Sequence, residues 1–376
     1  MGLRVGLGGA IALLAQCCVF VGGTPAYAAA SGPLYSCQVV SAAAAAAEPP
    51  PTPSRALNPT AIAEDHFSPL CPEGEVPYPV PDGGVGEKRL PPIDRGEAGS
   101  GGSIETGPIR ATTSRHSRSR RSRHGGRARV ARVFYSPYWY SYALADKTPA
   151  YGGVNDIWDE QENEQPYVAA AYSHSLSQLW GADEYSRGNY STIEMGWTEA
   201  PGQYPDVETH LFVAMSDCDA YEGNPPGYVG NGTIPWVQVS STAYPNMDIS
   251  HSGKHFYEVK LKEGNWWANY DGNWLGYIPH SAWSCVFPRP NYLEWGGEVA
   301  TPEEVTCTDM GNGHTGTESS AAKVFYTYWV NEHFGKPGFF SGAYFSDISK
   351  YNAGSWYPSL ESGESDSFRY GGPGWC

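Results

Sequence analysis

Two short segments place carboxylates where acid–base chemistry could occur. In Thr192-Ile193-Glu194-Met195-Gly196-Trp197, period-2 alternation puts Ile193, Met195 and Trp197 on one face, with Glu194 and Gly196 on the other. In Leu293-Glu294-Trp295-Gly296-Gly297-Glu298-Val299, the residues Leu293, Trp295, Gly297 and Val299 share one face, and Glu294, Gly296 and Glu298 share the opposite one. Each segment therefore has a bulky apolar side and a side with a carboxylate two residues from a glycine. A glycine there removes a side chain and lets another backbone approach, as the floor of a groove for an extended peptide or a sugar requires. Solvent-facing acids with glycines at bulges would give the same pattern, so spacing leaves both readings open. Glu294 and Glu298 lie about 13 Å apart along a strand at roughly 3.3 Å per residue, too far to share one water molecule. A working pair needs one of them near a carboxylate from another strand, and Glu194 is the natural partner. Two neighbouring carboxylates share a proton. The ionised one can take a proton from water, and the protonated one can donate to a carbonyl oxygen or leaving group, a division that suits acid conditions.

Other chemistries leave no mark. There is no GxSxG, HExxH or P-loop, and the ten histidines show no paired ligand spacing on one strand. No CxxC pair or Cys/His spacing suggests zinc, so a metal site built on cysteine is not expected. The elements that must position the carboxylates read as strands. Alternating runs at Tyr167–Trp180, Ser191–Thr198, Thr209–Met215, Thr233–Ser240, His255–Lys262, Trp266–Tyr270, Tyr292–Val299 and Lys323–Trp329 are separated by Gly, Pro, Asn and Asp. Many such strands with almost no helical pattern predict an all-β fold, an antiparallel sandwich or barrel.

Composition divides the chain in two. Glycine and proline make up 45 and 31 of the 376 residues, and charged residues only 17%, which argues against a helical bundle; 14% aromatics argue against full disorder. The net charge of −16 argues against nucleic acid as the main partner. Residues 1–132 hold 14 Lys+Arg and 10 Asp+Glu, a net +4, whereas 133–376 hold 10 and 30, a net −20. Residues 1–30 combine a basic start, a short apolar core and Ala26-Tyr27-Ala28, the parts of a signal peptide, so a secreted, extracellular chain is expected. Residues 31–108 read as a leader whose 38–63 stretch is Ala/Pro-rich, and 109–132 as an Arg-rich linker with nine arginines between 110 and 132. Residues 133–376 form the main domain. In an exported chain the six cysteines beyond the signal peptide, Cys37, Cys71, Cys218, Cys285, Cys307 and Cys376, read as up to three disulfides; a Cys37–Cys71 bridge is expected, with the other four pairing among themselves.

The region 133–376 resembles the neprosin family of secreted prolyl endopeptidases. The markers, in order, are Gly153–Trp158, Ser175–Trp180, Ser191–Trp197, His210–Phe212, Glu263–Trp267, Leu275–Pro279, Glu294–Val299 and Thr308–His314, followed by the ending Tyr370–Cys376. The resemblance implies an antiparallel β-sandwich with a cleft, two catalytic glutamates, and cleavage after proline without metal or cofactor. Carried over, the first glutamate is Glu194. The second is Glu298, in the Gly-Gly-Glu part of the motif, with Glu294 as the alternative. Gly196 and Gly296 would line the substrate groove, and the aromatics Trp266, Trp267 and Tyr277 are expected to pack against a proline ring. Proline-containing peptides or proteins are the implied substrates of a monomeric enzyme that engages neither nucleic acid nor membrane. The Cys71–Pro77 island resembles part of the family's activation segment, which implies a zymogen, although the Ala/Pro tract and arginine linker depart from that segment. A glycoside hydrolase, which also uses paired carboxylates, and a non-catalytic carbohydrate-binding sandwich are the rival readings.

Overall fold

The computed structural model describes residues 35–41, 46–55, 72, 75–79, 138–145 and 153–376, apart from 171–172, 187–188, 205, 218–226, 230–233, 250, 252, 284–286, 288, 302–305, 332–334, 338–339, 346–348 and 355–366. In chain order the strands of the first half are β1 (Tyr35–Val39), β2 (Glu75–Pro79), β3 (Tyr138–Ala145), β4 (Asp156–Glu162), β5 (His174–Ser186), β6 (Asn189–Glu199), β7 (His210–Ser216), β8 (Gly227–Tyr228) and β9 (Val237–Gln238). Those of the second half are β10 (Lys254–Lys262), β11 (Asn265–Tyr270), β12 (Asn273–Ile278), β13 (Tyr292–Ala300), β14 (Ala322–Val330), β15 (Gly335–Pro337), β16 (Phe340–Phe345), β17 (Asn352–Ala353) and β18 (Phe368–Gly371).

Two antiparallel sheets account for almost all of them. One has seven strands in the order β16-β3-β13-β5-β6-β7-β8. The other runs β17-β18-β14-β4-β10-β11-β12-β9, with β15 paired to β14. The sheets enclose one apolar core, to which the seven-stranded sheet gives Leu179, Ile193, Met195, Trp197, Leu293, Trp295 and Val299, and the nine-stranded sheet Ile157, Tyr257, Val259, Trp266 and Tyr370. Alternation along each strand makes this possible, because every second side chain meets the opposite sheet while its neighbours point outward. The expected all-β class and sandwich are what the chain forms. Gly297 is part of the same logic: a Cβ there would come within 2.6 Å of the Tyr370 ring and 2.7 Å of Met310, so the two sheets meet over a missing side chain. Cys307 and Cys376 are bridged, tying the C-terminus to the segment before β14, in keeping with pairing within the main domain. Cys37 is also disulfide-bonded; Cys71, Cys218 and Cys285 lie outside the described residues.

Three differences from the expected strands have physical causes. β4 carries no clean alternation because both of its faces are buried and polar; Gln161 donates to Asp159 at 2.9 Å on the inner side, while Trp158 stacks on Tyr328 at 5.0 Å on the outer side. β5 begins at His174 rather than Tyr167, since the Tyr167 and Ala169 amides bond the Asp309 carboxylate and Thr308 hydroxyl at 3.2 and 3.0 Å instead of a neighbouring strand. β12 joins the sheet through a bulge against β11 between Ala268 and Asn269, which breaks its period, and β9 is only two residues long. Within the leader, β1 pairs with β2, and residues 48–55 lie against the nine-stranded sheet.

Buried carboxylates tilt the stability of this fold toward acid. Burial, reinforced by Glu162, pushes the Glu164 carboxyl to about 7. Burial together with Glu208, Asp206 and Asp309 raises Glu199 to about 8, and burial raises Asp183 to about 6 against a hydrogen bond from Asn291. The folded state thus holds these protons more tightly than the unfolded chain, a stabilisation present below about pH 4.5 and lost as pH rises through 6 to 8. Glu318, lowered to about 2 by Thr315 and His314, acts only below that window. The thermal midpoint is expected to be higher near pH 5 than near pH 8.5, and a midpoint that rises toward pH 8.5 would contradict this assignment.

Candidate active site

The carboxylates singled out by spacing meet on the outward face of the seven-stranded sheet, at its three central strands. β5 is in the middle, with β6 on one side and β13 on the other. Register defines the rows across them. Glu194 of β6 faces Trp180 of β5, which faces Glu294 of β13. The next row on this face is Gly196, Gln178 and Gly296; the next is Thr198, Leu176 and Glu298. All three glutamates are buried, at 0%, 2% and 0% exposure for Glu194, Glu294 and Glu298, so they are not the solvated surface acids that the pattern also allowed.

The rows separate the two possible partners of Glu194. Between Glu194 and Glu294 stands Trp180, fully buried, with its ring edge-on to Tyr292 at 5.5 Å. Glu294 is engaged by the Tyr292 hydroxyl, which donates to Oε1 at 2.5 Å. Between Glu194 and Glu298 the register places Gln178 and two glycines instead of an indole. Gln178 is the diagonal neighbour of both, and diagonal neighbours across strands lie about 7–8 Å apart, within reach of long side chains. The two corners flanking Gln178 are the glycines. A Cβ on Gly196 would fall 1.8 Å from the Ser177 carbonyl oxygen, and Gly296 has φ 154°, a conformation closed to other residues. Glu194, Gln178 and Glu298 thus form a diagonal line across three strands, with no side chain on either side of its midpoint.

Each end of the line has its own surroundings. Glu194 accepts a hydrogen bond from the Thr192 hydroxyl at 3.1 Å, and Thr192 also bonds Ser216 at 2.8 Å. Glu298 is paired with His174, its Oε1 2.8 Å from Nε2. Both supporting residues come from the same sheet, so the strands that bring the carboxylates together also orient them.

Gln178 was not singled out by sequence reasoning. Its signal was available in the register alone, as the residue between two glycines once β5, β6 and β13 are aligned. The aromatics expected in the groove are a correction. Trp266 is in the inter-sheet core, and Trp267 and Tyr277 lie on the outer face of the nine-stranded sheet, their rings 4.6 Å apart. None is on the sheet of the glutamates. The Glu-Gly-Asn-Trp-Trp motif packs β11 rather than lining a cleft, because Trp266 and Trp267 necessarily point to opposite faces of one strand. Among the residues whose side chains are described, Trp180, Tyr292 and Phe212 are aromatics on the glutamate face.

Among the described residues one further group has metal-ligand composition, Asp206, His210 and Asp248. The His210 nitrogens lie 2.8 Å from Asp206 and 3.1 Å from Asp248, hydrogen-bond spacings, and its ring stacks on Tyr204 at 3.7 Å. These contacts close the group as a hydrogen-bonded clamp at the start of β7.

Among solved structures, the chain is similar to scytalido-glutamic peptidase bound to a peptide-based transition-state analog, at 8% identity, over 64% of this chain and 98% of that one, with a TM-score of 0.34. SCP-B, a member of the Eqolisin family of peptidases in complex with a tripeptide, is matched at 9% identity over the same shares, TM-score 0.34. A beta-porphyranase from the human gut bacterium Bacteroides plebeius is matched at 10% identity over 41% of this chain and 53% of that one, TM-score 0.23. The Neprosin family profile matches residues 171–373, more than half of the chain, including β5, β6, β13 and the whole Glu194–Gln178–Glu298 diagonal. The chain belongs to the Neprosin family.

Proposed function

We propose that this protein is a secreted endopeptidase that hydrolyses peptide bonds after proline under acid conditions, with Glu194 and Glu298 as its catalytic pair. The observation that carries this reading is the diagonal: two buried carboxylates from different strands, each in reach of Gln178, with glycines at the corners where an extended peptide would lie. Preference for proline rests on the family resemblance.

The surroundings assign the roles. Glu298, whose Oε1 lies 2.8 Å from His174 Nε2 and is oriented by it, is assigned as the base that takes a proton from a bound water. Glu194, which accepts from the Thr192 hydroxyl at 3.1 Å, is assigned as the acid of the pair. The water oxygen attacks the scissile carbonyl carbon as its proton passes to Glu298. Negative charge builds on the carbonyl oxygen, where the Glu194 proton and the Gln178 amide N–H stabilise it. Collapse breaks the C–N bond, the leaving amine takes the proton from Glu298, and both carboxyl groups return to their starting states. No acyl-enzyme forms, so reagents that block serine or cysteine nucleophiles should leave the rate unchanged.

In the full-length chain these groups are closed off from solvent. We propose accordingly that the chain is made as a latent precursor and that cleavage in its N-terminal part precedes activity. The test is to incubate the processed protein with a proline-rich protein and with polysaccharides at pH 4 and map the products by mass spectrometry. New peptide C-termini ending in proline are expected, with the polysaccharides intact. Cuts without regard to proline would remove the specificity, and sugar products would favour the glycosidase reading.

A further inference from the structure

The outer face of the nine-stranded sheet carries a second built site, on the opposite side of the sandwich from the glutamate pair. Its occupant is the leader segment Glu48-Pro49-Pro50-Pro51-Thr52-Pro53-Ser54-Arg55, which crosses β11, β10, β4 and β14 in turn. At β11, Glu48 accepts from the Asn265 amide at 2.6 Å and the Trp267 indole at 3.2 Å. At β10, Lys262 donates to the Pro49 carbonyl, and Lys260 to the Thr52 carbonyl at 3.0 Å and the Ser54 hydroxyl at 2.8 Å. The Ser54 amide donates to Glu258 at 2.9 Å and its hydroxyl to Asp156 on β4. Arg55 pairs with Glu160 and lies over the Tyr326 ring of β14, 5.2 Å from its centre.

The chemistry fits a proline-rich ligand. Four prolines in eight residues hold the segment extended, where its carbonyls have no internal partners and are free to accept from lysines. A segment already stiff loses little entropy on docking. Ser54 is the keystone: it sits where Asp156 and Glu258 converge on Lys260, which is 3.0 Å from the first and 3.8 Å from the second. The contacts are dense over these eight residues, and none of them reaches the seven-stranded sheet; upstream, the Ser41 amide also donates to the Gln238 carbonyl of β9 at 2.9 Å.

We propose that residues 48–55 are a strap that keeps the leader bound to the main domain, without a covalent link, after the chain is cut in the arginine stretch 110–132. Processing would then open the chain without shedding the leader, and any freeing of the glutamate face would have to come from other residues than these.

The experiment starts from the full-length chain, cut with trypsin at the arginines and passed through a size-exclusion column under native conditions. The fragment containing residues 48–55 is expected to co-elute with the main domain at close to one-to-one and to separate from it on a non-reducing denaturing gel. Ser54→Asp places a third carboxylate against Asp156 and Glu258 while changing no residue of the main domain, and Arg55→Glu reverses the pair with Glu160. Each should lower the co-eluting fraction at least tenfold with the melting temperature of the cut main domain unchanged, whereas Ser54→Thr should retain it. A wild-type fragment that leaves the domain on the column, that stays linked on the non-reducing gel, or that is held equally well by Ser54→Asp would overturn the proposal.

Discussion

Glu194→Gln should lower the rate of peptide cleavage at pH 4 by about 10³-fold or more, the scale at which a positioned acid or base contributes. The substitution keeps the shape of the side chain and replaces only the proton that it delivers. Glutamine can still accept from Thr192, so the hydrogen bond at 3.1 Å survives and the row of β6 against β5 is undisturbed. Substrate affinity should change little, because the loss concerns charge that develops in the transition state. A variant that melts with the wild type and yet keeps its rate would remove Glu194 from the mechanism.

Trp295→Ala should be the most damaging single change to the fold. Trp295 lies between Glu294 and Gly296 in β13 but faces the other way, fully buried in the core between the sheets. Its truncation removes one of the largest side chains from a region where neighbouring strands on both sides are fixed by continuous ladders, so the cavity cannot easily collapse. Loss of a buried tryptophan costs about 3–5 kcal/mol, which for a domain of this size lowers the melting temperature by roughly 6–20 °C. The same strand carries the second glutamate, so activity at a temperature below the new midpoint reports whether the register of β13 persists. A fall of under about 1 kcal/mol would mean that the site collapses far more readily than close-packed interiors do.

Much of this was legible from the residues alone, for a definite reason. β6 and β13 have one apolar and one polar face, and period-2 alternation assigns the faces of Glu194, Glu294 and Glu298 correctly without knowledge of any partner strand. What alternation cannot give is register. Whether Glu194 stands level with Glu294 or Glu298, and that Gln178 lies between two glycines, depends on how β5 aligns with both neighbours. β4 escaped for a different reason: its polar residues are buried on both faces, and Asp159, Gln161 and Trp158 leave no periodic trace. The aromatic prediction failed because adjacency in sequence, as in Trp266-Trp267, guarantees opposite faces in a strand. The strap was invisible because Lys260 and Lys262 read as ordinary outward residues until the leader is seen to cross them.

The comparison of Glu298→Gln with Glu294→Gln tests the diagonal most directly. Both glutamates lie on one strand and one face, both are buried, and they differ in what stands between them and Glu194: Gln178 flanked by two glycines in one case, the Trp180 indole in the other. Measured as kcat/KM on a proline-containing peptide at pH 4, Glu298→Gln should lose about 10³-fold or more, while Glu294→Gln, still able to accept from Tyr292, should stay within about tenfold of the wild type. Loss in Glu294→Gln with activity retained in Glu298→Gln would contradict the diagonal and transfer the second catalytic role to Glu294.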